Sequence, residues 1–170
     1  LFLSSYDTSS PLFVSELEGM ESIINQSNIH LDTINMDFQH FGHDKDIEAI
    51  YTFVQTRLEN REKPYDGVLV GDDRALDFVL EKQEELFPDI PIIFFSIRNQ
   101  ELAKNAAKNP KISGYYSPSF LKDTLSLAAS LQMGADTIMV LYDNTYWGNQ
   151  AKEEFFSLQR SFSSYRFAGL

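Results

Sequence analysis

The chain has 170 residues, which is enough for one ordinary domain with a sizeable core. Hydrophobic residues make up 43% and charged residues 23% of the chain, a globular composition that excludes a disordered protein. The net charge of -11 repels polyanions, so nucleic acid is not expected as a partner. Because there are no cysteines, disulfides, thiolate metal sites and cysteine nucleophiles are excluded as well.

Short apolar strands alternate with amphipathic helices through the first half of the chain. The first helix is predicted from apolar residues at helical spacing, Phe13, Leu17, Met20 and Ile24. The strands are predicted at LFLSS, IHLDTINMDF and GVLVG. After the second and third helices, the fourth strand PIIFFSI is continuously apolar, which predicts a strand buried on both faces.

The same alternation continues to the end of the chain. A fourth helix with a small apolar face precedes the short fifth strand ISGYY. After Ser117-Pro118-Ser119 the cycle restarts with a helix over 120–133, the strand TIMVLYD, another helix and the beginning of a strand at YRFAGL. This order predicts a doubly wound, parallel α/β sheet with helices on both faces. We expect a first α/β lobe at residues 1–117 and the beginning of a second at residues 118–170.

Polar segments follow several of the predicted strands. In open parallel sheets, ligands bind at the carboxyl ends of the strands, so these segments are the candidate site. They are Ser4–Asp7, Gly71–Asp73, Ser96–Asn99, Tyr115–Ser117 and Asp143–Trp147. Their hydroxyl, carboxylate, amide and aromatic groups suit a small polar or amphipathic ligand, and the aromatic rings favour one that carries a ring.

Two adjacent acids, Asp72 and Asp73, follow the third strand, and two interpretations are open for them. Either acid is a natural N-cap that favours the helix dipole. Capping needs only one of them, so the other is free to face a ligand. Asp143 and Asn144 carry the same ambiguity, since Asn144 also suits a turn. Trp147 is equally consistent with a core position and with a stacking surface.

A zinc site and an enzyme active site are both poorly supported by the sequence. The segment FQHFGHDKD brings His40 and His43 near Asp44 and Asp46, which are suitable zinc ligands, but the pattern does not define a third ligand. We therefore predict no metal and no cofactor. The chain has no G-x-S-x-G, G-x-G-x-x-G or G-x-x-x-x-G-K-[ST] motif and no recognisable acid–base pair, so a non-catalytic protein is expected.

A response-regulator receiver domain has a similar order of strands and helices. Asp72 matches its phospho-acceptor and Ser96 its hydroxyl residue after the fourth strand. However, the first strand ends in Ser4-Ser5 instead of an acidic pair, and no lysine follows the fifth strand. A magnesium-bound phosphorylation site needs both features, so the receiver interpretation fails.

Three segments resemble a known family: LFLSSYDTSSPLFVSELEGMESII, YDGVLVGDDRALDFVLEKQEELFPDIPIIFFSIRN and VLYDNTYWGNQAKEEF. Together they resemble the type 1 periplasmic binding-protein fold of the ABC-transporter substrate-binding-like group. The likeness is greatest to the variant that serves as the extracytoplasmic sensor of membrane histidine kinases and diguanylate cyclases. The second segment is the most specific, because it combines the acid pair, the E-E-L-F-P helix end and the I-P-I-I-F-F strand.

The resemblance implies two lobes that close on a small-molecule ligand between them. Carried over to this sequence, it implies first-lobe contacts from Ser5, Tyr6, Asp7, Asp72, Asp73 and Ser96. Second-lobe contacts would come from Asp143 and Asn144. The chain is too short after Pro118 for a complete second lobe, and it begins with Leu1 inside a predicted strand, so we expect it to be part of a longer protein.

The leading expectation is an extracytoplasmic ligand-binding sensor domain of a membrane-anchored signalling protein. Sensors of this kind often act as dimers, so the resemblance also implies a homodimer. The alternatives are a solute-binding protein of an ABC transporter and, less favoured, a small α/β enzyme. A protein-interaction module would instead require an exposed apolar patch.

Overall fold

The computed structural model of the protein describes residues 1–41, 44–132 and 134–170. Within these ranges the chain forms two compact units, Leu1–Pro118 and Ser119–Leu170. His43, a candidate metal ligand, and Met133, the predicted end of a helix, lie outside the described residues. In the described parts of the chain, no helix has the length and apolar character needed to cross a bilayer.

In the part of the first unit that the structure describes, five short parallel strands form a sheet. They run Phe2–Ser4 (β1), Thr33–Asn35 (β2), Val68–Gly71 (β3), Ile92–Ile97 (β4) and Ile112–Tyr116 (β5). Their order across the sheet is β2-β1-β3-β4-β5. The chain therefore moves outward from β1 to β2, crosses back to β3 and continues in the opposite direction. This confirms the predicted doubly wound α/β fold, with its topological switch point between β1 and β3.

Helices cover both faces of this sheet, as predicted. They run Pro11–Ile24 (α1), Asp44–Glu59 (α2), Asp73–Leu86 (α3) and Gln100–Ala106 (α4). Alternate strand residues point to opposite faces, and Leu3, Val70 and Phe94 share the main core with residues of α2, α3 and α4. On the opposite face, the ring of Phe2 stacks on Phe13 of α1 at 6.1 Å between ring centres.

The face beside α1 is less completely buried than the sequence predicts. Of the predicted apolar stripe of α1, only Phe13 is fully buried. The expectation that β4 is buried on both faces is wrong, because Ile93, its second residue, is 50% exposed. The second strand is also shorter than predicted: β2 stops at Asn35, and Asp37 turns the backbone with a left-handed φ of 51°.

Within its described residues, the second unit contains two further strands and two α-helices. Its elements are Leu121–Leu131 (α5), Thr137–Val140 (β6), Tyr146–Ser157 (α6), a 3-10 helix at Leu158–Phe162 and Arg166–Gly169 (β7). β6 and β7 pair in parallel, so the strand predicted at the end of the chain is confirmed. Leu125, Phe155 and Phe167 form its small core.

Candidate functional site

Polar residues of the first unit gather where the central strands end. Ser5 and Tyr6 follow β1, Asp72 and Asp73 follow β3, and Ser96 lies near the end of β4. We refer to these five residues as the carboxyl edge. Because β1 and β3 are neighbours in the sheet, the carboxyl edge lies at the switch point of the fold, where open α/β sheets bind ligands.

A buried hydrogen bond joins the ends of β1 and β3. The Tyr6 hydroxyl donates to Asp72 Oδ2 at 2.8 Å. Both side chains are buried, with 7% and 3% of their surfaces exposed. Burial raises the pKa of Asp72 to about 6, although the hydrogen bonds it accepts act in the opposite direction. Burial and then the Asp72 carboxylate raise the pKa of Tyr6, so the hydroxyl remains a neutral donor.

Asp72 and Ser5 also anchor the first turn of α3. Asp72 is its N-cap, as predicted for one of the two acids, and its Oδ1 accepts from the backbone N–H of Arg74 at 3.1 Å. The Ser5 hydroxyl accepts from the Ala75 N–H at 2.9 Å and donates to the Gly71 carbonyl at 3.4 Å. The start of α3 is thus held by side chains from two strands.

Asp73 makes a different set of contacts. Its carboxylate accepts from the backbone N–H groups of Arg98 at 2.9 Å and Asn99 at 3.2 Å. These hydrogen bonds tie the loop after β4 to the start of α3, and Asn99 in turn caps α4. Burial raises the pKa of Asp73. The carboxylates of both acids therefore accept hydrogen bonds from the protein itself, and contact of either with a ligand stays a prediction.

Ser96 extends the carboxyl edge toward α1. Its hydroxyl donates to Glu16 Oε1 at 2.7 Å, and burial raises the pKa of Glu16. Glu16 is a residue that the sequence analysis missed. The sequence feature that could have identified Glu16 is its position between Phe13 and Met20, where an acid lies beside an apolar stripe at helical spacing.

Left-handed backbone conformations are concentrated at the same ends of the strands. Among the described residues, four non-glycine residues have a positive φ, and three of them, Asp37, Asp72 and Ser96, follow or end β2, β3 and β4. The φ of Asp72 is 84° and that of Ser96 is 57°. Such residues each cost about 1–3 kcal/mol and tend to cluster where proteins bind ligands.

Asp7 is more accessible than the carboxyl edge and lies close to two other ionisable groups. Its Oδ1 accepts from the Ser9 N–H at 2.6 Å, and hydrogen bonds from Ser9 hold its pKa below the usual range. Asp37 contacts the ring of His40 at 2.7 Å, which raises the pKa of His40. The potential metal-ligand atoms of Asp7, Asp37 and His40 lie within 4.8 Å of one another. His40 therefore has two acidic neighbours that lie outside the segment FQHFGHDKD, in which the sequence analysis placed it.

The two predicted residues of the second unit follow β6. Asp143 accepts from the Thr145 hydroxyl at 2.5 Å and from the Thr145 N–H at 3.0 Å, and these two hydrogen bonds lower the pKa of Asp143. Thr145 is the N-cap of α6 and accepts from the Gly148 N–H at 3.1 Å. A Cβ atom at Gly148 would lie 2.2 Å from Asp143 Oδ1, so glycine permits this close approach. Asn144 is exposed.

The fold is similar to that of a known protein. Comparisons with protein-family models and with curated protein sequences find no match. A solved structure from Streptococcus pneumonia, described as an ABC domain in complex with L-Trp, matches with a TM-score of 0.66 and 17% sequence identity. The match covers 99% of this chain and 55% of that chain, so this chain spans about half the length of the similar protein. At this identity the likeness concerns the fold.

Proposed function

We propose that this chain binds a small molecule at the carboxyl edge. The observation that carries the proposal is the coincidence of three features at the switch point of the sheet. Buried polar side chains, left-handed non-glycine residues and the ends of the two central strands all occur there. A purely structural edge does not need this backbone strain, whereas a preorganised binding site uses it.

An amine-bearing ligand with an aromatic ring suits this edge best. Asp7 is half-exposed beside the buried network, and its low pKa keeps it ionised at neutral pH. Its carboxylate is therefore a suitable acceptor for a ligand ammonium group. The similar structure is described as a complex with L-Trp, which supports testing aromatic amino acids first.

We further propose that the chain belongs to the extracytoplasmic sensor domain of a membrane histidine kinase or diguanylate cyclase. In this proposal, ligand binding shifts an equilibrium between open and closed lobes, and the shift is passed across the membrane to an output domain. The sequence resemblance in three segments supports it. A solute-binding protein of an ABC transporter is the second candidate, favoured by the description of the similar structure as an ABC domain.

A thermal-shift screen on the longest soluble form of the protein tests ligand binding. The panel contains L-Trp, other amino acids, polyamines, nucleobases and aromatic acids. A ligand at about a hundred times its dissociation constant should add about 2.7 kcal/mol of stability. Asp7→Asn should weaken the affinity for an amine-bearing hit at least tenfold, since the amide keeps the turn with Ser9 but removes the charge. Asp77→Asn, an exposed position on α3, should not change it.

The outcomes separate the candidate functions. If no compound raises the melting temperature, the small-molecule proposal is wrong. A hit whose affinity is the same in Asp7→Asn would remove Asp7 from the site. A hit that alters the kinase or cyclase activity of the intact protein supports the sensor, whereas ligand-dependent uptake by a transporter supports the solute-binding protein.

A further inference from the structure

Three potential metal ligands converge where β1 and β2 end. They are Asp7, in the loop after β1, and Asp37 and His40, in the turn after β2. One potential ligand atom of each side chain lies within 4.8 Å of the other two, and Asp37 Oδ1 lies 2.7 Å from His40 Nδ1. Two ligand atoms on one tetrahedral zinc ion are about 3.4 Å apart, since each lies about 2.0–2.2 Å from the metal. Small side-chain rotations therefore bring all three ligands to one ion.

The backbone that carries these ligands is fixed by contacts between the two segments. The N–H of Phe38 donates to the Ser5 carbonyl at 2.9 Å, which joins the turn after β2 to the loop after β1. The side chains of Met36 and Phe38 are buried on either side of Asp37. The Asp37 carbonyl accepts from the His40 N–H at 3.0 Å, so both ligands lie on one hydrogen-bonded turn. The packing of the fold therefore holds the three ligands near one another.

The electrostatics of this cluster favours a positive charge. The hydrogen bond to Asp37, followed by the negative charges of Asp37 and Asp7, raises the pKa of His40. Hydrogen bonds from Ser9 lower the pKa of Asp7 and keep it ionised. A metal ion replaces the proton of a ligand imidazole and carries a larger charge than the proton does. The two carboxylates that stabilise protonated His40 therefore also stabilise a divalent cation bound at the same position.

The mixture of ligand types selects the class of metal. Imidazole binds zinc and related first-row transition metals, whereas Mg²⁺ and Ca²⁺ prefer oxygen ligands. Two carboxylates and one imidazole suit a zinc ion with three protein ligands, whose fourth position is taken by water or by another molecule. We propose that Asp7, Asp37 and His40 bind a divalent ion of the zinc class. Of the zinc ligands considered from the sequence, only His40 belongs to this set.

The metal site does not depend on the proposed ligand site, although both use Asp7. A zinc ion on the Asp7 carboxylate would compete with the ammonium group of a small-molecule ligand. Zinc binding is therefore measured without small molecules, and the ligand screen is repeated with EDTA present. The two proposals can then fail separately.

Isothermal titration calorimetry with zinc chloride tests the site in the 170-residue protein, after metal has been removed with EDTA and the EDTA has been dialysed away. One equivalent of zinc should bind. His40→Gln and Asp37→Asn each remove one ligand and should weaken the affinity at least tenfold. His30→Gln is the matched control, because His30 is exposed and contacts a different acid, Asp32, at 3.3 Å. It should leave the affinity unchanged. Circular dichroism confirms that each variant is folded.

Metal competition tests the class of ion. A roughly hundredfold excess of Mg²⁺ should not displace zinc, since the imidazole of His40 favours zinc. Co²⁺ in place of zinc should give a visible absorption band that is weakened in His40→Gln, which reports binding by the imidazole directly.

Four results would overturn the proposal. The first is the absence of zinc binding. The second is an affinity in His40→Gln and Asp37→Asn equal to that of the wild type. The third is an equal loss of affinity in the control His30→Gln, which would assign the binding to exposed histidines in general. The fourth is displacement of zinc by an equimolar amount of Mg²⁺, which would exclude the zinc class.

Discussion

Replacing Asp72 with asparagine should change how the stability of the protein depends on pH. Burial raises the pKa of this carboxyl from 3.8 in the unfolded chain to about 6 in the folded protein. The folded state therefore binds this proton more tightly than the unfolded state does. The resulting contribution to the free energy of unfolding is fully present below pH 3.8 and is lost as the pH rises through about 6. A difference of this size corresponds to about 3 kcal/mol.

The asparagine side chain preserves the local geometry. Its oxygen can accept from the Arg74 N–H as Asp72 does, and its amide can donate to the Tyr6 hydroxyl oxygen. Asparagine also has the same shape as aspartate, so the substitution does not change the steric demand of the positive φ. We therefore expect the free energy of unfolding of Asp72→Asn, relative to the wild type, to rise by about 2.5 kcal/mol between pH 4 and pH 7.5, since part of the effect is already lost at pH 4.

Urea unfolding at several pH values between 4 and 7.5 measures this difference. Far-UV circular dichroism is the suitable signal, because the single tryptophan, Trp147, lies in the second unit. Asp77→Asn, at an exposed position on α3, controls for the loss of one negative charge. Parallel stability curves for the wild type and Asp72→Asn would show that burial of this carboxyl does not control its ionisation.

Two further substitutions test packing in the first unit by chemical denaturation. Asp73→Ala should cost about 1–3 kcal/mol, because two partly buried N–H groups after β4 lose their acceptor, while Asp77→Ala should cost much less. Equal losses would contradict an anchoring role for Asp73. Gly114→Ala should cost about 3 kcal/mol or more, because its Cβ would lie 2.1 Å from the Phe94 carbonyl oxygen. Gly19→Ala has open space and should be stabilising, so similar effects at the two glycines would refute the steric argument.

The fold was predictable because the sequence patterns that specify it lie within short segments of the chain. The change between strand and helix periodicity identifies each βα unit, and the order of units leads to a parallel, doubly wound sheet. The N-cap at Asp72 was predictable for the same reason, since a cap depends on residues two or three positions away.

The partners at the site were not predictable, because they come from distant parts of the chain. Nothing in the local sequence pairs Tyr6 with Asp72, and Asp73 bonds to backbone N–H groups that carry no side-chain signal. The burial of β4 was overestimated for a related reason. An apolar run shows that a strand is suited to burial on both faces, but the cover over Ile93 must come from another segment.

The hydrogen bonds of the carboxyl edge also constrain the order of folding. The bond between Arg74 and Asp72 spans two residues, so the start of α3 can form early. The bond between Tyr6 and Asp72 spans 66 residues, and the bond between Ser5 and Ala75 spans 70. Closing loops of that length is slow, and these bonds cannot form until β1 has docked beside β3. A ligand that recognises the carboxyl edge therefore binds chains in which the first unit has completed its folding and does not bind partly folded ones.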